Sequence, residues 1–145
     1  MKKIVIVSIL FIAALHTDCQ NLVIDSLTRQ LSEAGTDSAK VKWLGSLADY
    51  YAFVQFDSSI FYAEQTINIS NKLNNQLGKY DALRCIFLAS NCQGNYPKAL
   101  EVALRILKIT ENTKYSKENN IVNPHYFLGL LNREMGNSSS AVGEL

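Results

Sequence analysis

Apolar side chains recur every three or four residues along most of this chain, which is the spacing of one face of an α-helix. The clearest stripe consists of Ala99, Leu100, Ala103, Leu104, Ile106 and Leu107. Two weaker stripes precede it, one made of Val41, Leu44, Leu47, Ala48 and Tyr51 and the other of Ile60, Ala63, Ile67 and Leu73. No stretch alternates between apolar and polar residues as a half-buried strand does. The pattern therefore predicts an all-α protein.

Polar and small residues divide these stripes into successive helices. Residues 21–34 carry Leu22, Leu27 and Leu31 at partly helical spacing, and Gly35 can end that helix. Thr36-Asp37-Ser38 then predicts the start of the next helix, and Phe56-Asp57-Ser58-Ser59 can cap the one after it. Asn74-Asn75-Gln76-Leu77-Gly78 is a loop by composition.

The next predicted helix begins at Lys79 and ends near Gly94, with Tyr80, Leu83, Ile86 and Phe87 on its apolar side. Residues 112–122 are polar and are expected to form a linker. Asn123-Pro124 predicts the start of another helix, whose apolar side carries Phe127, Leu128 and Leu131. A last helix begins near Ser140 and reaches Leu145 after barely one turn, so we expect this chain to be a truncated piece of a longer protein.

One turn motif occurs twice. Gly94-Asn95-Tyr96-Pro97-Lys98-Ala99 is echoed 42 residues later by Gly136-Asn137-Ser138-Ser139-Ser140-Ala141, and both read G-N-x-x-x-A. Asn95 is a good helix cap, and Pro97 is tolerated in a first turn because its missing N–H costs nothing there. A turn at a fixed interval between paired helices predicts a solenoid. The expected pairs cover roughly residues 36–75, 79–112 and 122–145.

These residues resemble the tetratricopeptide repeat (TPR), whose motif runs W-x-x-L-G-x-x-Y and then G-x-Y-x-x-A. The turn from Gly94 to Ala99 matches the second part, and Leu128-Gly129 matches the Leu-Gly of the first. The resemblance covers about residues 38–145 and implies a right-handed α-solenoid of stacked antiparallel helix pairs.

The chain departs from that motif in three ways. The repeat period is about 40–42 residues rather than 34, and Trp43 falls one place off the best register. Phe87 and Leu47 or Ala48 stand where two of the repeats would have the small residue. In the first pair, Ser59 or Ile60 occupies the position of the alanine.

The N-terminus has the composition of a secretory signal peptide. Lys2 and Lys3 precede a mainly apolar run over residues 4–15, which is shorter than the roughly 20 residues of a spanning helix. We therefore predict a signal peptide over residues 1–19, with cleavage before Gln20 and a mature domain over 20–145. An uncleaved anchor and a lipid on Cys19 are the alternatives, although Asp18 fits a lipoprotein signal badly. Either way we expect the domain to be exported, and to be periplasmic or membrane-anchored and facing the periplasm.

Charge and cysteine content exclude several classes of function. Twelve basic and twelve acidic residues remain beyond residue 19, so the composition does not favour nucleic-acid binding. Cys85 and Cys92 lie two turns apart on one predicted helix, about 10 Å along its axis, which is too far for a disulfide. Neither His16 nor His125 is close to them in sequence, so we predict no metal and no cofactor.

Catalytic motifs are not found in the sequence. It has no G-x-x-x-x-G-K, no H-E-x-x-H and no G-x-S-x-G, so no enzyme activity is predicted within these residues. His125 is interpreted as a capping or packing residue at a helix start. Tyr50, Tyr51 and Phe53 are interpreted as packing residues because of their helical spacing.

The resemblance further implies that the first helix of each pair lines a concave groove. Carried over onto this chain, the groove positions are Lys42 and Asp49 in the first pair, Asp81, Arg84, Leu88 and Asn91 in the second, and Tyr126, Leu130 and Arg133 in the third. This mixture of charged, leucine and tyrosine side chains suits an extended peptide or helix. The asparagine of a carboxylate clamp is not evident, because Ser46 stands in its place.

The leading functional hypothesis is a protein- or peptide-binding scaffold. A signal followed by such repeats looks like the N-terminal sensory region of Bacteroidetes-type membrane signalling proteins, in which a spanning helix and a histidine kinase or DNA-binding region follow. Any membrane attachment would come from the N-terminus or from a region beyond Leu145. The alternative hypothesis is a structural spacer or dimerisation arm that self-associates and has no ligand of its own.

Overall fold

The computed structural model describes residues 22–111, 123 and 125–136, and these residues form six helices and no strand. The helices are α1 (residues 22–32), α2 (Asp37–Tyr51), α3 (Phe56–Lys72), α4 (Gln76–Cys92), α5 (Tyr96–Thr110) and α6 (His125–Glu134). The predicted signal peptide over 1–19, the linker over 112–122 and the helix from Ser140 lie outside the described residues. The all-α prediction is confirmed.

The turns after α3 and α4 are the same local structure. Asn74 and Gly94 both have a positive φ, at 52° and 71°, and each follows the end of its helix. The next residue, Asn75 or Asn95, donates its backbone N–H to the carbonyl of Ser70 or Ser90, five residues back. This is a Schellman motif, in which glycine and asparagine are the usual residues at the left-handed position. Chain reversal is thus encoded twice.

The two asparagines that follow these left-handed residues cap the next helices. The side-chain oxygen of Asn75 accepts a hydrogen bond from the backbone N–H of Gly78, and that of Asn95 accepts one from Lys98. The predicted cap at Asn95 is confirmed. The predicted loop over residues 74–78 is wrong, because the cap at Asn75 allows α4 to begin at Gln76 rather than at Lys79.

A sequence signal for this earlier start is present at a 20-residue interval. The residues from Ser70 to Asn75 read S-N-K-L-N-N, and those from Ser90 to Asn95 read S-N-C-Q-G-N. Both therefore follow S-N-x-x-(N/G)-N. The two turns that lie 42 residues apart, at Gly94 and Gly136, are equivalent turns within successive helix pairs. That interval therefore does not include the turn at Asn74-Asn75, which connects one pair to the next and has the same capping chemistry.

The start of α3 differs from the expected cap. Its N-cap is Gln55, which makes no side-chain capping hydrogen bond, and the helix begins at Phe56. Ser59 is instead fully buried, and its hydroxyl donates to the carbonyl oxygen of Ala48 on α2 at 2.8 Å. The small side chain therefore lies where the two helices of the first pair meet. Ser59, rather than the partly buried Ile60, takes the alanine position.

The helices are packed in chain order. Each helix from α2 to α5 contacts the next one, and α2 also contacts α4. Further along, α5 contacts α6, and the rings of Phe87 on α4 and Phe127 on α6 meet edge to face with centroids 5.0 Å apart. First helices of successive pairs thus touch, as stacked hairpins require. This arrangement is a TPR-like helical solenoid.

Helix α4 lies at the centre of the hydrophobic core. It is buried on more than one face, through Gly78, Tyr80, Ala82, Leu83, Cys85, Ile86, Phe87, Ala89 and Ser90. The predicted core residues of this helix are all among them. A helix that is apolar most of the way round has neighbours on several sides, which is the position of an inner helix in a stack.

The outer helices are less regular than the sequence pattern implies. On α5, Ala99, Ala103 and Ile106 are buried as predicted, but Leu100 and Leu104 are 42% and 51% exposed. Val102, which lies outside the predicted stripe, is fully buried. On α3 the expected stripe ends at Ile67, because Leu73 lies beyond the helix and is 40% exposed.

Aromatic side chains join the two helices of the first pair. The rings of Tyr51 on α2 and Tyr62 on α3 are stacked with centroids 5.7 Å apart, and Tyr50 and Phe61 make edge contacts with this stack. Burial raises the pKa of Tyr51, with smaller contributions from Tyr62 and Tyr50. The predicted packing role of Tyr50 and Tyr51 is confirmed, whereas Phe53 is 66% exposed and does not share it.

Two helical glycines have opposite steric surroundings, and we predict opposite effects of alanine at each. A Cβ on Gly78 would lie 2.7 Å from both the hydroxyl of Ser70 and a methyl of Val41, so overpacking should lower the free energy of unfolding by about 1–3 kcal/mol. A Cβ on Gly45 would meet only the Thr66 methyl, at 4.0 Å, so Gly45→Ala should raise it by up to about 1 kcal/mol.

Urea denaturation followed by circular dichroism measures both changes, and the two variants control for each other because they differ only in position. Equal effects of the two substitutions, or a Gly78→Ala variant as stable as the parent, would show that α4 does not approach α2 and α3 as closely as described.

Candidate functional site

A cavity of about 430 Å³ opens between α2 and α4. Residues of α2, α3, α4 and the loop before α4 line it: Ser38, Val41, Lys42, Gly45, Ser46, Asp49, Thr66, Asn75, Leu77, Gly78, Asp81, Arg84 and Cys85. We call this cavity the α2–α4 groove. It is formed by the first helices of two successive pairs, with Thr66 of α3 behind them.

Helical spacing explains why these side chains converge. On α2, Lys42, Gly45 and Asp49 are three and four residues apart and so share one face. On α4, Gly78, Asp81 and Cys85 have the same spacing. Because α2 and α4 are in contact, the two faces form the walls of one groove.

An ion pair crosses the groove between the two helix pairs. The guanidinium of Arg84 on α4 donates to the carboxylate of Asp49 on α2 at 2.8 Å. The two side chains are 32% and 54% exposed, so the pair stabilises the fold by no more than about 1 kcal/mol. Burial lowers the pKa of Arg84, but Cys85 and the hydrogen bond to Asp49 outweigh this, and the pKa is raised overall.

Asp81 is the less satisfied acid of the groove. The residue is half-buried, and its carboxylate makes no hydrogen bond or ion pair in the part of the chain that the structure describes. Burial raises the pKa of Asp81, the charge of Arg84 lowers it and that of Asp49 raises it, with a net increase. Its neighbour Arg84 is already engaged with Asp49.

Cys85 is a buried thiol at the base of the groove. Its sulfur lies 3.9 Å from a carboxylate oxygen of Asp49. Burial raises the pKa of this thiol to about 12, and although Arg84 lowers it, Asp49 and Asp81 raise it further. Since the thiolate is the nucleophilic form, Cys85 is suited to packing and not to covalent chemistry. Cys92 is the last residue of α4 and is exposed.

Lys42 occupies the rim of the groove. Its ammonium lies 4.4 Å from the centroid of the Trp43 ring, which is a cation–π contact. One turn along, the hydroxyl of Ser46 donates to the backbone carbonyl of Lys42 at 3.0 Å. Lys42 is exposed to solvent, whereas Asp81 on the opposite wall is half-buried.

The predicted groove residues divide into two sets. Four of them, Lys42, Asp49, Asp81 and Arg84, line the α2–α4 groove together. The others, Leu88, Asn91, Tyr126, Leu130 and Arg133, lie outside it. A role for this second set in binding stays a prediction.

The local contacts of the second set differ. Leu88 and Leu130 pack against the core, and the side-chain oxygen of Asn91 is sealed from solvent without a hydrogen-bond partner. Tyr126 contacts the ring of Phe127, and Arg133 donates to the carboxylate of its neighbour Glu134.

Sequence reasoning missed the small residues of the groove, chiefly Gly45 and Thr66. The signal for Gly45 was present, because it lies between Lys42 and Asp49 at the spacing of one helical face. Thr66 could not have been found in this way, since it belongs to the second helix of the pair. Its methyl group reaches the groove only because α3 packs behind α2.

The remaining chemical candidates have ordinary surroundings. His125 is exposed at the start of α6, where its backbone N–H donates to the side-chain oxygen of Asn123. Within the described ranges, no three His, Cys, Asp or Glu side chains are grouped so that they could hold a metal ion. None of the helices described is both long enough and apolar enough to span a bilayer.

Comparison with protein families identifies a match that covers most of the described residues. The family model described as the SusR N-terminal TPR domain matches residues 19–119, which is more than half of the chain. Those residues include α2 to α5 and every residue that lines the groove. Searches of the curated proteins and of the solved structures gave no match.

We predict that Cys85 resists alkylation in the folded protein. A Cys19→Ser, Cys92→Ser variant keeps Cys85 as its only thiol. With a pKa of about 12, Cys85 has roughly a thousandth of the thiolate of an unperturbed cysteine at pH 8, and burial slows access further.

Intact-mass measurement with iodoacetamide tests this, and the same variant in concentrated urea is the control. Modification at similar rates in buffer and in urea would contradict the burial of this thiol.

Proposed function

The chain belongs to the family of the SusR N-terminal TPR domain, and from that premise we propose that it binds a protein or peptide segment in the α2–α4 groove. TPR domains are typically scaffolds for protein interactions and not catalysts. The observation that supports this groove is the convergence of charged side chains from two successive helix pairs on one open cavity of about 430 Å³.

The composition of the groove suits an extended segment. Its walls combine a satisfied ion pair, a half-buried acid and an exposed lysine with apolar surface from Val41 and Leu77. Peptide recognition commonly uses such apolar contacts for affinity and a few polar groups for register. The high pKa of Cys85 removes the only thiol of the groove from nucleophilic chemistry, which favours binding over catalysis.

The wider role that we propose is that of the extracytoplasmic sensory part of a longer signalling protein, with a histidine kinase or transcriptional regulator as its output. Two observations support this role: the family to which the chain belongs and the signal-like N-terminus, with its two lysines before an apolar run over residues 4–15. Occupation of the groove would couple α2 to α4 across the boundary between two pairs. This coupling is how binding could reach an output region.

Filling the groove should weaken peptide binding. Gly45→Leu places an isobutyl group among the groove residues, and we expect it to weaken peptides selected from a displayed random nonapeptide library by about tenfold or more. The measurement is the dissociation constant by fluorescence anisotropy. Lys108→Leu is the matched control, because it adds the same side chain at an exposed position on α5 and should leave binding unchanged.

Melting curves verify that both variants fold. Selected peptides that bind the filled and the open groove equally well would refute the assignment of this site. A chain that selects no peptide but sediments as a dimer would favour a dimerisation arm instead, and the exposed Leu100 and Leu104 of α5 would then be the first residues to test.

Export can be tested separately. A fusion of residues 1–35 to a β-lactamase lacking its own signal should confer ampicillin resistance, because that enzyme protects cells only from the periplasm. Lys2→Glu, Lys3→Glu changes the charged end of the signal and should reduce resistance. Full activity in lysates without resistance in intact cells would contradict export.

A further inference from the structure

We propose that the α2–α4 groove receives a lysine or arginine side chain of its partner, with the charged end against Asp81 and the aliphatic stem across Gly45. This inference rests on the proposed function and specifies the chemistry of the segment that is bound. It is carried by an imbalance of charge within the groove and by unfilled space beside it.

Of the four charged side chains that line the groove, two already form an ion pair with each other and two do not. Arg84 and Asp49 satisfy each other at 2.8 Å, so neither is the strongest attractor for a ligand. Asp81 and Lys42 make no ion pair within the described chain, and they differ in hydration. Asp81 is half-buried, whereas Lys42 is exposed and already lies over Trp43.

That difference in hydration decides the sign of the ligand. A carboxylate that has lost part of its water gains more from a counter-charge than an ammonium that keeps its water, because the local dielectric is lower at the buried group. The raised pKa of Asp81 agrees with this loss of hydration. A basic group is therefore favoured at Asp81 over an acidic group at Lys42.

The unfilled space lies beside Gly45, in the wall of the groove that α2 forms. A glycine within a helix is destabilising relative to alanine, so its presence usually reflects a close contact that leaves no room for a side chain. Here the nearest atom to an added Cβ is the Thr66 methyl at 4.0 Å, so packing of the helices does not require a glycine. The missing side chain leaves room bordered by Val41 and Thr66, which suits the methylene stem of a long basic side chain.

Asp81→Asn provides a clean substitution. Because burial raises the pKa of Asp81, ionisation of this carboxyl opposes folding. The contribution of the protonated carboxyl to stability is present at low pH and is lost as the pH rises through the pKa of the folded state. Removal of the charge should therefore leave the melting temperature at neutral pH unchanged or higher. Glu64→Gln is the matched control, because it removes one exposed negative charge on α3 outside the groove.

The test uses the displayed nonapeptide library against the whole chain. Peptides that lose binding to Gly45→Leu should share a lysine or arginine at one position. Replacing that residue by methionine and replacing Asp81 by Asn should each weaken binding by about tenfold, and the two together should cost no more than one alone, since they remove the same interaction. Glu64→Gln should change affinity by less than about twofold.

Dependence on pH gives a second readout. The titratable groups that face the groove are Lys42 and Asp49 on α2 and Asp81, Arg84 and Cys85 on α4, while α3 contributes the non-titrating Thr66. Binding of a basic peptide should weaken as the pH falls and Asp81 takes up a proton, and Asp81→Asn should remove that part of the dependence.

The possible failures are distinguishable. Groove-dependent peptides that lack a shared basic residue, or that share an acidic one, would overturn this inference and leave the proposed function standing. Additive effects of the two replacements would also overturn it, because the basic residue would then act elsewhere. If no peptide depends on the open groove, the proposed function and this inference both fail.

Discussion

The close approach of three helices at Gly78 is the constraint on which the rest of this structure depends. Val41 of α2 and Ser70 of α3 both lie where a side chain on Gly78 would have to be. Because Gly78 has no side chain, the first turn of α4 can pack directly against α2 and α3. Helix α4 in turn contacts α5 and, through Phe87, α6.

The same contact creates the groove. When α4 packs against both helices of the first pair, its outer face comes alongside α2 and leaves an open cleft lined by side chains from each helix. The cleft is thus a consequence of stacking and is not a separate structural element. For this reason residues that line the groove and residues that pack in the core alternate along the same two helices, as Asp81 and Ala82 do.

The charged side chains of the groove include one ion pair, between Arg84 and Asp49. By joining α2 to α4, the Arg84–Asp49 ion pair connects the two helix pairs on the side where the groove opens. Its partial exposure makes it a modest contributor to stability. Asp81 lies one turn from Arg84, but burial and the charge of Asp49 together raise the pKa of Asp81 by more than the guanidinium lowers it. The four charged side chains Lys42, Asp49, Asp81 and Arg84 that line the groove thus cancel in formal charge, but they differ in burial and in whether they already form an ion pair.

The sequence by itself determined the class of fold, because helical spacing of apolar residues and the Gly-Asn turns are local signals that act within a few residues. It identified Asn95 as a cap, the buried stripe of α2 and the core face of α4. The groove positions came from the resemblance to the tetratricopeptide repeat, and of the nine that it implied only Lys42, Asp49, Asp81 and Arg84 line the α2–α4 groove.

Only the tertiary structure decided which apolar residues are inside where two faces of a helix look alike. Leu100 and Leu104 are exposed while Val102 is buried, because the direction from which the neighbours pack selects the face. The tertiary structure also decided that the hydroxyl of Ser59 donates a hydrogen bond to the carbonyl of Ala48, and that Gly45 borders open space. Those facts depend on contacts between residues far apart in sequence, and no pattern within a single helix carries that information.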